Sequence, residues 1–196
     1  MSESIKIPLF PLNLVLLPNE ELSLHIFEKK YKHMVSDCIE KNSNFGIILR
    51  NKNYNNYIGC TAKIIDVLYE YDTGEYDITV RGEDRFSIID TMLKHDLLLG
   101  NAIILPDKKN ESHHDLLSNV RNKYLNILLN HKLTKDIDLE VERRVSYDFT
   151  NKIILPNKLK QFFLEQKNEK ERLEFLDDLF NKVILESKIK GKYYIN

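Results

Sequence analysis

Three prolines interrupt the apolar stretch Pro8–Tyr31, which reads PLFPLNLVLLPNEELSLHIFEKKY. Because proline fixes φ and lacks a backbone N–H, neither a long helix nor a central strand can pass through this stretch unbroken. The sequence predicts short extended pieces at Ile5–Phe10, Leu14–Leu17 and Glu21–Ile26, the last alternating between apolar and polar residues. From Phe27 to about Lys41 the apolar residues recur at helical spacing. Proline-broken strands that lead into a helix favour a closed β unit with the helix packed against it.

Beyond this helix, segments between turn signals predict further strands, and Gly59–Tyr71 among them alternates well. These strands are Phe45–Arg50, Gly59–Tyr71, Tyr76–Arg81, Phe86–Thr91 and Leu97–Leu105. A turn is expected at Gly82–Arg85, held by an arginine–carboxylate contact. Five or more antiparallel strands in meander order, with prolines at their edges, predict a barrel-like sheet.

The apolar period becomes helical after Pro106–Ser112, a stretch with the composition of a linker. Helices are predicted at His114–Asn130, Leu139–Ile154, Asn157–Gln166 and Glu169–Ser187, the last with Asn168 as its N-cap. The sequence therefore predicts an α+β protein with two domains. Residues 1–106 form the barrel-like antiparallel sheet with one helix, and residues 107–196 form a helical bundle.

Composition narrows the class of function. The chain has 196 residues, 42% of them hydrophobic, and a net charge of −1, as in a soluble globular protein. This charge gives no electrostatic argument for binding nucleic acid or an anionic membrane. Cys38 and Cys60 lack CxxC spacing, which favours reduced, buried thiols over a metal pair or a disulfide. A signal segment and a long apolar run are both missing, so a cytoplasmic location is expected.

Several short motifs occur along this chain in the same order as in a known protein family. Leu9-Phe10-Pro11-Leu12, Val15-Leu16-Leu17-Pro18 and His25-Ile26-Phe27-Glu28 resemble the opening signature of the Lon N-terminal domain, the substrate-binding domain of ATP-dependent Lon proteases. The run Val80–Phe86 is similar to the family's V-x-G-x-x-R-F motif. The sequence departs from the family pattern at two positions. Asn19 stands in place of glycine, and asparagine tolerates the left-handed backbone of a turn. Lys30 stands in place of arginine, and lysine keeps the charge but lacks the bidentate fork of a guanidinium. The resemblance covers nearly the whole chain.

The resemblance implies a PUA-like pseudo-barrel followed by a helical bundle. It also implies a non-catalytic module for protein quality control that binds unfolded or partly exposed polypeptides and requires no cofactor. A Lon-type protease is an expected partner. The sequence contains no nucleotide-binding GxxxxGK loop followed by Ser or Thr, and it lacks the sequence context of a Ser–Lys protease. Neither the ATPase activity nor the protease activity of Lon is therefore expected here.

Residues for peptide binding are expected where apolar side chains are exposed beside polar ones. Leu16, Leu17 and Leu22 lie near the Pro18 turn, and Tyr54 and Tyr57 lie in a polar, asparagine-rich loop where tyrosine offers rigid contact area. In the alternative interpretation, the leucines belong to the core and the tyrosines cover the edge of the barrel.

Two other functions remain open at this stage. A small metal-dependent hydrolase could use His25 and Glu28 with the acidic turn at Glu83, although a third ligand is missing and Glu28 suits the start of a helix. An RNA-binding barrel rests on analogy of fold alone, and the near-neutral charge argues against it.

Overall fold

The computed structural model describes residues 4–55, 57–106, 113–134 and 136–192. Contacts divide the chain into two compact units, Met1–Pro106 with Pro156–Glu165, and Asp107–Leu155 with Gln166–Asn196. Most of the expected linker, residues 107–112, lies outside the described residues. The two units follow the expected change from strands to helices, except that Pro156–Glu165 groups with the strands. The domain boundaries at 1–106 and 107–196 stay a prediction.

Among the described residues, the first unit contains six strands and two helices. The strands are β1 (Ser4–Leu12), β2 (Glu21–Ile26), β3 (Phe45–Leu49), β4 (Ile58–Glu70), β5 (Tyr76–Lys94) and β6 (Leu97–Leu105). The helices are α1 (Lys29–Lys41) and α4 (Asn157–Glu165). Turn signals and apolar pattern therefore located most of these strands to within a residue or two, and the change of period after β2 located α1.

The sheet runs in the order β2-β5-β4-β3-β1-β6, and β6 pairs again with β5. This last pairing closes a ring of five strands, while β2 extends the sheet beside the first half of β5. The predicted barrel-like sheet is confirmed as a pseudo-barrel. One pair, β1 with β3, is parallel and departs from the predicted antiparallel meander. Parallel neighbours need a long connection, which β2 and α1 supply here.

The predicted turn at Gly82–Arg85 is wrong, because β5 continues through it as one strand of 19 residues. The ladder with β4 shifts register at this point, where Ala62 pairs with Gly82 and Cys60 pairs with Arg85. One extra residue on β5 produces a bulge, which bends a strand without ending it. The charged residues that suggested a turn therefore belong to a bent strand.

Arg85, at the end of the bulge, is buried, with 4% of its surface exposed. Its Nη1 donates to the carbonyl oxygen of Leu164 at 3.0 Å, at the end of α4. Near the start of the same helix, Lys160 donates to the carboxylate of Glu20. These two contacts explain why α4 groups with the sheet.

The segment Leu14–Leu17 forms no strand, although it was expected to be extended. It is a buried loop in which Val15, Leu16 and Leu17 all belong to the core of the first unit. The carboxylate of Glu20 accepts the Leu17 N–H at 3.0 Å, which satisfies a donor that no strand ladder pairs.

The second unit contains α2 (His114–Asn130), α3 (Ile137–Val141), a 3₁₀ helix (Ser146–Thr150) and α5 (Glu169–Lys192). The single helix predicted over Leu139–Ile154 is wrong. Asp148 explains the break, because its Oδ2 accepts the N–H groups of Arg144 and Val145 at 3.1 and 3.2 Å. A side chain that caps backbone donors offers an alternative to continuing the helix.

Aromatic and ionic contacts form the core of the second unit. Tyr124 lies between Phe149 and Phe180, with ring centroids 5.3 and 6.1 Å away. Its hydroxyl donates to the buried carboxylate of Glu140 at 2.9 Å. Asn168 caps α5 as predicted, because its Oδ1 accepts the Glu171 N–H at 3.0 Å.

Candidate functional site

A groove of about 420 Å³ lies within the first unit, between α1 and the hairpin that joins β5 to β6. Its size falls in the range of pockets that hold a small ligand or a few side chains of a peptide. We take this groove, called the α1 groove below, as the candidate functional site.

The floor of the α1 groove is apolar. Met34 and Cys38, one turn apart on α1, form one side of this floor, and both side chains are buried. Leu97 and Leu99 on β6 form the other side of the floor and are only half-buried. Side chains two apart on a strand share a face, as do side chains four apart on a helix, so two regular elements form the floor. Apolar surface that is left partly open in this way suits an apolar side chain of a partner.

The tight turn between β5 and β6 positions the residues at the rim of the groove. His95 and Asp96 both have positive φ, 49° and 63°, as in the two-residue turns that match the twist of a hairpin. Lys94 and His95 consequently lie beside the end of β6 and line the groove. The dipeptide His-Asp between two apolar runs is a sequence signal that could have predicted this turn, because histidine and aspartate are among the non-glycine residues enriched at positive φ.

Charged side chains surround the opening. Lys41 forms an ion pair with Asp37 at 3.2 Å, and Lys30 lies 3.5 Å from the Glu28 carboxylate. Lys94 forms no ion pair with any residue that the structure describes. The rim therefore carries one lysine, Lys94, that has no ion pair within the part of the chain that the structure describes, beside an apolar floor.

Burial makes both cysteines poor nucleophiles, since it raises the pKa of the Cys38 thiol and that of the Cys60 thiol. We expect iodoacetamide at mildly alkaline pH to modify both at least about tenfold more slowly in the folded chain than in urea, because the thiolate is the reactive form. Cys38 lines the groove and Cys60 does not, so Cys38 should react first. Mass spectrometry of the alkylated peptides measures both rates. Faster alkylation of Cys60 in the folded chain would contradict this placement.

The structure separates the five residues predicted to bind peptides. Leu16 and Leu17 are 1% and 0% exposed, so the core interpretation holds for them and they offer no surface to a partner. Leu22 is half-buried on the inner face of β2. Tyr54 and Tyr57 meet edge to face, with centroids 5.9 Å apart, and pack against a second apolar cluster of the sheet. None of the five lines the α1 groove.

The residues of the metal-enzyme alternative have other partners. Nδ1 of His25 lies 2.7 Å from Oδ1 of Asp77, and the Glu28 carboxylate lies 3.5 Å from Nζ of Lys30. The pKa of the Asp77 carboxyl is lowered, mainly by the hydrogen bond from Tyr71 and further by the hydrogen bond from His25. Within the ranges that the structure describes, no three His, Cys, Asp or Glu side chains form a group able to hold a metal ion.

Sequence comparison matches residues 6–182 to the model of the ATP-dependent protease La (LON) substrate-binding domain. The chain belongs to this family. The Lon substrate-binding domain is a non-catalytic module of substrate recognition, and the pseudo-barrel found here is the fold expected from the resemblance of the motifs. No curated protein matches the chain in sequence.

Solved structures agree with the Lon fold. The crystal structure of a Lon N-terminal domain protein from Xanthomonas campestris has 24% identity and a TM-score of 0.67, covering 88% of this chain and 96% of that one. The N-terminal domain of the Mycobacterium avium complex Lon protease has 19% identity and a TM-score of 0.72, covering 90% and 98%. At these identities the likeness shows the fold alone. No helix in the described ranges is both long and apolar enough to cross a membrane.

Proposed function

We propose that this chain binds exposed apolar segments of polypeptides in the α1 groove, as a recognition module for protein quality control that acts with or beside a Lon-type protease. The family supports recognition of a substrate, and the groove supplies a surface on which an unfolded segment can be held. Folded proteins bury most such segments, so a groove of this kind favours the unfolded form of a protein.

The half-buried floor of Leu97 and Leu99 carries this proposal. An apolar side chain that enters the groove removes its own surface and that of the floor from water, worth about 25 cal/mol per Å². The single contact is therefore weak. Affinity would come from repeated engagement of a chain that offers many apolar side chains.

Lys94 adds a preference to this binding. Its charge lies on the rim without an ion pair among the described residues, so a segment with an acidic residue beside the apolar anchor gains attraction. Such a contact at an exposed rim contributes about 0.2–1 kcal/mol and weakens with salt. The groove should thus bind apolar segments broadly and rank them by flanking charge.

The test is a titration at physiological salt with one model protein in its folded and its permanently unfolded forms. We expect saturable binding of the unfolded form, without ATP, and at least about tenfold weaker binding by Leu99→Glu, since a carboxylate on the floor must be desolvated by an apolar anchor. Occupancy of the groove should also slow the alkylation of Cys38.

Ile89→Glu is the matched control, because Ile89 is exposed on β5 and does not line the groove. It should bind like the parent chain. Equal binding of folded and unfolded protein would remove the proposed function. Unchanged binding by Leu99→Glu, with a Tyr54→Ser or Tyr57→Ser variant impaired, would move the site to the tyrosine loop, where the sequence predicted it.

A further inference from the structure

A row of aromatic rings lies on the outer face of the sheet, on residues that the α1 groove does not use. Tyr69 packs edge to face on Tyr71 at 4.6 Å, Tyr71 packs edge to face on His25 at 5.9 Å, and His25 stacks on Phe27 at 5.9 Å. The exposed fractions of Phe27 and Tyr69 are 61% and 58%. We call these four residues the aromatic row.

The sheet holds the aromatic row in place. His25 on β2 and Tyr69 on β4 each pair directly with Asp77 on β5, so the three side chains lie side by side across three strands. Asp77 joins the row together, because its carboxylate accepts the Tyr71 hydroxyl at 2.7 Å and contacts the His25 ring at 2.7 Å. Exposed aromatic rings fixed in this way lose little conformational entropy when a partner covers them.

The surroundings of the row are acidic. The segment Tyr69–Asp77 reads YEYDTGEYD and contains four carboxylates without a lysine or arginine. Asp72 has no hydrogen bond or ion pair with any residue that the structure describes. One cation, Lys32, contacts this segment, where its Nζ donates to the carbonyl oxygen of Thr73 at 2.7 Å. This local excess of negative charge contrasts with a net charge of −1 for the whole chain.

We propose that the aromatic row and its carboxylates form a second docking surface, which binds an arginine-containing segment of a polypeptide. A guanidinium stacks on an aromatic face through attraction to the ring quadrupole, and its N–H fork suits a carboxylate. Tyr69 and Phe27 supply the open faces, and Asp72 and Glu75 supply the acceptors. The surface is independent of the α1 groove and does not rest on its function.

The charge decides between partners of different chemistry. Four carboxylates repel the phosphates of a nucleic acid, and a purely aliphatic segment would leave the same carboxylates to be desolvated without compensation. Arginine satisfies both the rings and the carboxylates. Lysine satisfies them less well, because its ammonium is compact and strongly hydrated.

The test uses fluorescently labelled peptides of equal length in which glycine alternates with arginine, lysine, leucine or glutamate, and fluorescence polarisation measures their binding to the full chain. We expect saturable binding of the arginine peptide, weaker binding of the lysine peptide and none of the glutamate peptide. The affinity for the arginine peptide should fall as the salt concentration rises.

Variants separate the rings from the charges. The double variant Phe27→Ser/Tyr69→Ser should bind the arginine peptide about tenfold more weakly, from the loss of two exposed cation–π contacts. Tyr69→Phe keeps the ring and should bind like the parent. Asp72→Asn/Glu75→Gln should bind more weakly with a flatter dependence on salt. Ile89→Ser is the control, because it also removes an exposed apolar side chain but lies outside the aromatic row, and it should bind like the parent.

Defined outcomes would overturn the proposal. These are equal binding of the leucine and arginine peptides to Leu99→Glu, in which the α1 groove is impaired, retained binding of the arginine peptide by Phe27→Ser/Tyr69→Ser, or self-association of the chain that this double variant abolishes, which would assign the surface to a second copy. Leu99→Glu should leave binding of the arginine peptide unchanged, so failure of the α1 groove and failure of this surface are measured separately.

Discussion

Gly82→Ala should destabilise the first unit by about 4 kcal/mol. A Cβ at this position would lie 2.1 Å from the carbonyl oxygen of Leu17 and 2.9 Å from its carbonyl carbon. These are backbone atoms, so no side chain can rotate away to make room. The same contact is held by two hydrogen bonds, from the Gly82 N–H to Glu20 O at 2.9 Å and from the Asn19 N–H to Gly82 O at 2.8 Å. The added methyl group breaks this docking of loop and strand.

Pulsed thiol labelling during urea unfolding measures the effect, because both cysteines lie in the first unit. Cys60 is the more direct reporter, since its Sγ would lie 3.1 Å from the added Cβ. Gly74→Ala is the control. Gly74 has φ of +75° in an exposed turn, and its nearest neighbour is the end of the Lys32 side chain at 4.0 Å. Its cost is backbone strain of about 1 kcal/mol. Equal effects of the two variants would refute the close approach at Gly82.

Glu169→Ala should destabilise the second unit by about 3–5 kcal/mol. Its carboxylate contacts Nη2 of Arg172 at 2.9 Å, and the Arg172 side chain is only 1% exposed. The same carboxylate accepts the Ser146 N–H and Ser146 hydroxyl, both at 2.7 Å. The guanidinium also lies 4.6 Å from the centre of the Tyr147 ring. Without Glu169, a buried cation loses its carboxylate and a backbone donor loses its acceptor.

Urea unfolding followed by circular dichroism at 222 nm measures the loss of helix. Glu174→Ala is a matched control on the same helix, because Glu174 pairs with Lys170 at 3.7 Å and both side chains are more than half exposed. An exposed pair of this kind is worth less than about 1 kcal/mol. Glu169→Gln should fall between the two, since it keeps an acceptor for Ser146 and loses the charge. A cost for Glu169→Ala no larger than that for Glu174→Ala would show that Arg172 is stabilised by its other contacts.

The strands and helices with strong periodicity were predictable from the sequence. Glu21–Ile26 alternates between apolar and polar residues, Leu97–Leu105 is an apolar run that ends before Pro106, and both are strands with those bounds. His114–Asn130 has a helical stripe and is a helix with those bounds. In each case the residues that must be buried are set by local geometry, so the pattern alone suffices.

Where local signals conflicted, tertiary contacts decided. Gly82–Arg85 has the composition of a turn, yet β5 passes through it because the neighbouring strand and the Leu17–Glu20 loop pair with its backbone. Leu139–Ile154 has helical spacing, yet the side chain of Asp148 ends α3 and starts a 3₁₀ helix. Composition cannot reveal these partners, since they lie on other elements or depend on one side-chain rotamer.

The candidate site shows the same division. Met34 and Cys38 were predicted as one apolar face of a helix, which is true of a core helix and of a helix that borders a groove. That Leu97 and Leu99 stay half-buried beside them depends on which surfaces meet after the turn at His95 and Asp96, and the apolar pattern of β6 does not show this.

The sequence by itself therefore determined the family, most of the strands and helices, and the faces that their periodicity buries, because motifs and periodicity are local properties of the chain. Only the tertiary structure decided that β5 closes the pseudo-barrel, that α4 packs with the strands, and that Leu16 and Leu17 are core while Phe27 and Tyr69 are open. Burial depends on which surfaces meet, and residues distant in sequence settle that.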